Sequence, residues 1–218
     1  MSEISAGMVK ELREMTGAGM MDCKKALAEA SGSMEAAVEI LRKKGLKDIG
    51  KRAGRTAAEG TIGTYVHSND QIVAVVELNC ETDFVARGDD FKDCARGLAM
   101  HVAAMKPLYL SSEEVPASVI EKEKEIFLDQ LTPAQRNNAD KILPGKLAKF
   151  YEENCLLEQP YVRDDSGKMA VKNVIEELGI KCGEKVTVRR FLRFEVGEGI
   201  ERQKADLASD VAALTGEA

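Results

Sequence analysis

A chain of 218 residues, 31% charged and 44% hydrophobic, is long enough to bury a core in one or two domains. Its formal net charge of −6 argues against nucleic acid as the main partner. Five widely spaced cysteines (Cys23, Cys80, Cys94, Cys155 and Cys182) form no Cys-x-x-Cys pair and read as reduced cytosolic thiols. The N-terminus lacks an export signal and no run nears the ~20 apolar residues of a membrane span, so a soluble cytoplasmic protein is expected.

The first 45 residues predict three short helices. Ser5 suits an N-cap, and Met8, Val9, Leu12 and Met15 give one apolar stripe. Gly17 and Gly19 break that helix. A second begins near Asp22 and buries Cys23, Ala26, Leu27 and Ala30; a third runs from about Met34 to Lys44, with Gly45 as its stop. Residues 42–55 are strongly basic, with Arg42, Lys43, Lys44, Lys47, Lys51, Arg52 and Arg55 against Asp48. A solvated linker over 46–56 is the favoured reading. Contact with an acidic or nucleic-acid surface is the alternative, disfavoured because the run has no aromatic to stack on bases.

A second domain is expected over 57–112 and 156–200. Gly60–Val66 and Asp70–Asn79 read as strands, and the second is apolar on both parities, as an inner strand is. A third strand is marked from about Lys185 to Val196, with Val186, Val188, Leu192, Phe194 and Val196 on one parity. Arg190 interrupts that face. Phe91, Cys94, Ala95, Leu98, Val102 and Met105 repeat at helical spacing up to Pro107. Residues 113–155 predict a helical hairpin arm, about Pro116–Leu131 and Gly145–Cys155, punctuated by Thr132-Pro133 and Leu143-Pro144-Gly145. A short helix near Val171–Leu178 precedes the last strand, and a C-terminal helix is expected over 201–218. The fold class is α+β: an N-terminal three-helix module, then an antiparallel sheet with flanking helices and a projecting arm.

Enzymatic chemistry is poorly supported. No Gly-x-x-x-x-Gly-Lys-Ser/Thr loop is present, and Gly197-Glu198-Gly199 reads as a turn. His67 and His101 are isolated, with His101 read as a satisfied structural residue. No cofactor or metal is called for. Two exposed-looking features suit a protein partner instead. Thr82-Asp83-Phe84-Val85-Ala86-Arg87 follows the second strand, where a connection can present an aromatic and a carboxylate outward; taken alone, the favoured reading is that Phe84 covers the end of the core and Asp83 caps a turn, and a second motif near the N-terminus reverses that preference. Met20 and Met21 lie in a glycine-flanked loop, where two readings stay open: one methionine is core and the other free to adapt to a partner, or both pack into the three-helix core.

Thr16-Gly17-Ala18-Gly19-Met20-Met21-Asp22-Cys23-Lys24-Lys25-Ala26-Leu27 and Thr82–Arg87, followed in order by Met100-His101-Val102-Ala103-Ala104 and Arg193-Phe194-Glu195-Val196-Gly197-Glu198-Gly199-Ile200, resemble the elongation factor Ts family across nearly the whole chain. The resemblance implies a guanine-nucleotide exchange factor of bacterial translation whose partner is the GTPase elongation factor Tu. It implies that the N-terminal helices are of the ubiquitin-associated type and contact one GTPase domain through Leu12, Met20 and Met21. It implies that Thr82, Asp83, Phe84 and Val85 reach the Mg²⁺ and phosphate site, and that the C-terminal helix touches another domain. Longer family members carry two similar sheet modules. Here the second reads as fused or missing, and short members of this kind pair as homodimers, so a homodimer is expected. The rivals are an adaptor for ubiquitin-like partners and a nucleic-acid binder working through residues 42–55.

Overall fold

The computed structural model describes residues 4–16 and 18–200, so the helix expected over 201–218 lies outside the described residues. Helices α1 (Ala6–Thr16), α2 (Met20–Glu29) and α3 (Met34–Arg52) pack around their own cluster of Val9, Leu12, Cys23, Ala26, Leu27, Ala37 and Leu41. Ser33 caps α3 by accepting from the Ala36 N–H at 3.3 Å. Two expectations are corrected here. Met15 does not join the buried stripe but stands exposed. Gly45 does not stop α3, which continues to Arg52. The reason for a glycine at 45 is packing: a Cβ there would come within 2.7 Å of the Ile180 side chain. Lys51 and Arg52 in the last turn suit the negative end of the helix dipole.

Strands β1 (Glu59–Val66), β2 (Ile72–Cys80) and β3 (Thr187–Glu195) form an antiparallel sheet in the order β1-β2-β3. A one-turn helix, α4 (Asp83–Ala86), leads from β2 into α5 (Asp89–Met105). The main core lies between one sheet face and the helices. Ala74, Val76, Leu78 and Cys80 meet Phe91, Ala95, Leu98 and Val102 of α5. Val171, Ile175 and Leu178, from the helix spanning Val171–Cys182, complete it. Each large side chain buried in this way contributes roughly 1.5–3 kcal/mol. Gly63 lets α5 lie close on the sheet, because a Cβ there would sit 2.1 Å from the Ala95 carbonyl oxygen. His101 is fully buried, as read from sequence. Its Nδ1 accepts from the Val162 N–H at 3.1 Å, which leaves Nε2–H to donate to Gln159 Oε1 at 2.9 Å.

The last strand departs from its expected alternation. Glu77 pairs with Arg190 while the next residue, Leu78, pairs with Val188, so Arg189 is the extra residue of a β-bulge. The bulge switches the parity. Val188 faces the core on one side of it; beyond it Phe191, Arg193 and Glu195 lie under the helices and Leu192, Phe194 and Val196 are turned outward. The interruption at Arg190 thereby has its cause: Arg189 and Arg190 both reach the Glu77 carboxylate, at 3.0 and 2.6 Å, and hold it below the usual carboxylate range. Arg193 is buried along its side chain and donates to the Ala103 carbonyl at 3.1 Å, near the end of α5.

The second sheet face is therefore apolar and uncovered by any described element. Across the strands it runs Val66–Val73–Phe194 and Thr64–Val75–Leu192, with Leu192, Phe194 and Val196 at 58, 60 and 64% exposure.

The arm consists of α6 (Ala117–Asp129), α7 (Pro133–Arg136) and α8 (Ala139–Asn154), none of which contains a buried residue. Thr132 and Gln135 form a capping box at its turn. Pro144 does not end a segment, as its sequence context suggested, but lies inside α8. The absent N–H removes one intrahelical bond, and the exposed surface lets water meet the carbonyl left over. The remaining helix, α9 (Val171–Cys182), is longer than the expected Val171–Leu178. It returns the chain to β3 through a left-handed Gly183 with φ 75°.

Candidate partner-binding site

The Thr82–Arg87 motif is built as a short projecting turn. Thr82 is the N-cap of α4: its Oγ1 accepts from the Val85 N–H at 3.4 Å. Ala86 is buried and Val85 packs against the core edge, which fixes the base of the turn. Phe84 is left 85% exposed. A large aromatic that could have been buried and is instead held out by a capped, anchored turn has its surface available to a partner. Asp83 is also exposed and pairs with Arg87 one turn on at 2.9 Å. Such a pair contributes little to stability in water, so the carboxylate is free to exchange its partner.

Met20 and Met21 open α2 and are both exposed, so neither packs into the helical core. Leu12 does not join them. It is fully buried in the three-helix core, so it supports that module from inside rather than presenting a surface.

The segment around Gly19 and Asp22 and the Phe84 turn each border a groove that ends on α9. Phe84, Val85, Phe91 and Leu178 line a mainly apolar groove of about 490 Å³ that ends at Lys181 and Cys182. Gly19, Asp22, Lys44 and Gly45 line a second groove, of about 260 Å³, that ends at the same Lys181 and Cys182. Lys181 bridges to Asp90 at 2.6 Å, and Lys44 bonds to Asp22 across the N-terminal helices. The end of α9 thus borders two separate grooves, one beside the Phe84 turn and one beside Gly19 and Asp22 of the N-terminal helices.

Nothing at this surface is tuned for covalent chemistry. Burial raises the Cys182 thiol, and burial together with the nearby Glu184 charge pushes Cys80 up to about 11. Burial likewise pushes Cys94 up to about 12, so none of these three thiols is poised as a nucleophile at neutral pH. Among the described residues no group of three or more His, Cys, Asp and Glu side chains could hold a metal ion. No described helix is long and apolar enough to cross a membrane.

The sequence profile described as Elongation factor TS matches residues 7–198. The chain belongs to the elongation factor Ts family. Similar proteins include Elongation factor Ts of Thermotoga sp. (strain RQ2), 58% identical over 199 residues that cover 91% of this chain and 99% of that protein. Elongation factor Ts of Desulforamulus reducens is 54% identical, covering 98% of each chain. That of Carboxydothermus hydrogenoformans is 51% identical, covering 96% of this chain and 97% of its own. As an elongation factor Ts family member, the chain is an elongation factor of translation.

Three residues at the site, Lys181, Cys182 and Glu184, are not singled out by the sequence reading. Lys181 and Cys182 were read as lying past the end of a short helix, yet both grooves end on them. Glu184 holds the connection from which α4 starts. The extension of α9 beyond Leu178 was the one local clue: Ile180 continues the apolar spacing and Gly183 supplies a helix stop.

Proposed function

We propose that this elongation factor Ts family member is a guanine-nucleotide exchange factor, not an enzyme, that releases GDP from elongation factor Tu in the cytoplasm. The observation that carries the reading is Phe84, exposed on a capped one-turn helix beside an apolar groove that ends on Lys181 and Cys182. In this reading Phe84 enters the GTPase beside its Mg²⁺ and phosphate site, with Thr82 and Val85 holding the turn. Asp83 brings a carboxylate that competes for the groups ordering the metal. Met20 and Met21 grip the same GTPase domain from the N-terminal helices, which act as the ubiquitin-associated-like module expected from sequence. The GTPase holds its nucleotide by backbone donors, a lysine and Mg²⁺, so displacing the elements beside that site weakens several contacts at once.

Coupling of this kind is reciprocal, so GTP or GDP must expel the exchange factor as strongly as the factor expels nucleotide. A ~10⁴-fold weakening of nucleotide needs about 5.5 kcal/mol of differential binding. One phenylalanine supplies roughly 2–3 kcal/mol when buried in a partner. The remainder has to come from Met20, Met21 and the groove along α9.

Assembly forms a second part of the proposal. The uncovered sheet face around Val73, Val75, Leu192 and Phe194 fits a twofold homodimer, since each subunit would offer the same apolar rows to the other. The rival nucleic-acid reading is weakened by the commitments of the basic stretch. Lys44 bonds Asp22, Arg52 donates to the Gly179 carbonyl at 3.3 Å, and Arg55 reaches Glu81 at 3.3 Å. The test is the rate of GDP release from elongation factor Tu loaded with fluorescent GDP. Marked acceleration by the chain is expected; no acceleration at micromolar chain would overturn the reading.

A further inference from the structure

The connection that launches α4 and the connection that launches β3 hold each other by exchanging carboxylates. Glu184 Oε2 accepts from the backbone N–H groups of Glu81 and Thr82, both at 3.0 Å, and its Oε1 accepts from Thr82 Oγ1 at 2.6 Å. In return, Glu81 accepts from the Lys185 N–H at 2.7 Å and from Arg55 Nη1 at 3.3 Å. The Lys185 ammonium then donates to the carbonyls of Ala53 and Arg55 at 2.7 and 3.0 Å, just past the end of α3. The clasp therefore joins the Phe84 turn, the end of α9 and the end of the N-terminal helices.

Helix α4 has only four residues. A single turn has almost no helical stability of its own, because nucleation outweighs the bonds formed. Its direction is set by what holds its ends. Val85 and Ala86 hold the C-terminal end against the core. At the N-terminal end Thr82 has one hydroxyl proton, and donating it to Glu184 leaves an oxygen lone pair turned to the Val85 N–H. Glu184 thus sets the rotor of the cap and fixes two backbone amides before it. Bonds to a carboxylate are the stronger kind.

We propose that Glu184 is a positioning residue for the exchange reaction: by clasping Glu81 and Thr82 it aims the turn that carries Phe84. The proposal rests on the exchange reading above. Glu184 acts through Phe84 and need not touch the GTPase itself.

The experiment uses the full chain with Glu184→Ala and Glu184→Gln, each in the natural and the Phe84→Ala background. It reads the maximal rate of GDP release, the half-saturating chain concentration, and amide hydrogen exchange in the peptide covering residues 81–87. Glu184→Ala is expected to lower the maximal rate on the order of tenfold, the cost of losing several charge-assisted bonds at one site. The half-saturating concentration should change by less than about threefold, because Met20 and Met21 still bind. Glu184→Gln keeps an acceptor oxygen and should recover most of the rate. In the Phe84→Ala background Glu184→Ala should cost clearly less than in the natural chain, with only the part that acts through Asp83 remaining, since residues acting through one group are non-additive. Residues 81–87 should lose protection while α5 keeps it. If Glu184→Ala does not fold, Glu184→Asp, with its carboxylate drawn back by one methylene, takes its place with the same expectations at smaller size. Equal losses in both backgrounds, or unchanged protection of residues 81–87, would overturn the proposal. If the natural chain fails to accelerate GDP release, the exchange reading falls, and the protection of residues 81–87 still decides whether Glu184 holds the turn.

Discussion

Replacing Phe84 by alanine separates a partner contact from a structural one. The side chain is 85% exposed in the free chain, so truncating it removes almost nothing from the core. Surface substitutions of this kind stay within about 0.5 kcal/mol of the parent, which for a chain of this size moves the melting temperature by no more than roughly 2 °C. In a complex the same ring would be buried whole and contribute roughly 2–3 kcal/mol. At 1.4 kcal/mol per factor of ten, catalysed GDP release should slow by roughly 30–150-fold. Phe91, at 2% exposure on the adjoining helix α5, is the internal control. Phe91→Ala should cost roughly 3–5 kcal/mol of folding stability and lower the melting point by about 6–20 °C. Stopped-flow release of fluorescent GDP and thermal melts of both variants give the comparison. The reasoning is refuted if Phe84→Ala melts as early as Phe91→Ala, or if it releases GDP within about threefold of the parent rate.

The sheet face predicts assembly: light scattering should give about twice the 23.8 kDa of one chain, and Leu192→Asp with Phe194→Asp should halve that mass while the chain stays folded. A parent mass near a single chain would remove the dimer. Burial, opposed only by the Gln159 bond, lowers the pKa of His101 in the folded state. Above pH 6.5 the ring is neutral in both states; below it the unfolded chain takes a proton that the folded chain refuses, so stability is full above pH 6.5 and declines as pH falls. Urea denaturation between pH 7.5 and 5.5 should show that decline, with a shallower slope in His101→Asn; a flat profile in the parent would contradict the assignment.

Sequence reading recovered what depends on short-range pattern. The three N-terminal helices, the inner strand β2 and the α5 stripe all follow from apolar spacing that tertiary packing then used. The exposure of Phe84 was one of two open readings, because an aromatic in a connection has no period to place it. Long-range causes were invisible. The bulge at Arg189 depends on the pairing of β3 with β2, and one inserted residue sent Leu192 and Phe194 to the outer face. Gly45 looked like a helix stop because a glycine at the end of a pattern is usually one; its role is to admit Ile180, more than 130 residues away. Leu12 was assigned to the surface on the resemblance alone, against its own place in the apolar stripe, and the stripe was the better guide. Glu184 was silent because a clasp between two turns leaves no trace in either turn's local sequence.

Catalytic turnover tests the central claim most directly. One chain is mixed with about ten molecules of elongation factor Tu carrying fluorescent GDP, with excess unlabelled GDP present, and release is followed to completion. If the chain is an exchange factor governed by reciprocal coupling, all of the labelled GDP leaves at a rate proportional to the chain added, because incoming nucleotide expels the factor for another cycle. Release that stops at one GDP per chain, or that proceeds at the rate seen without the chain, would contradict the account.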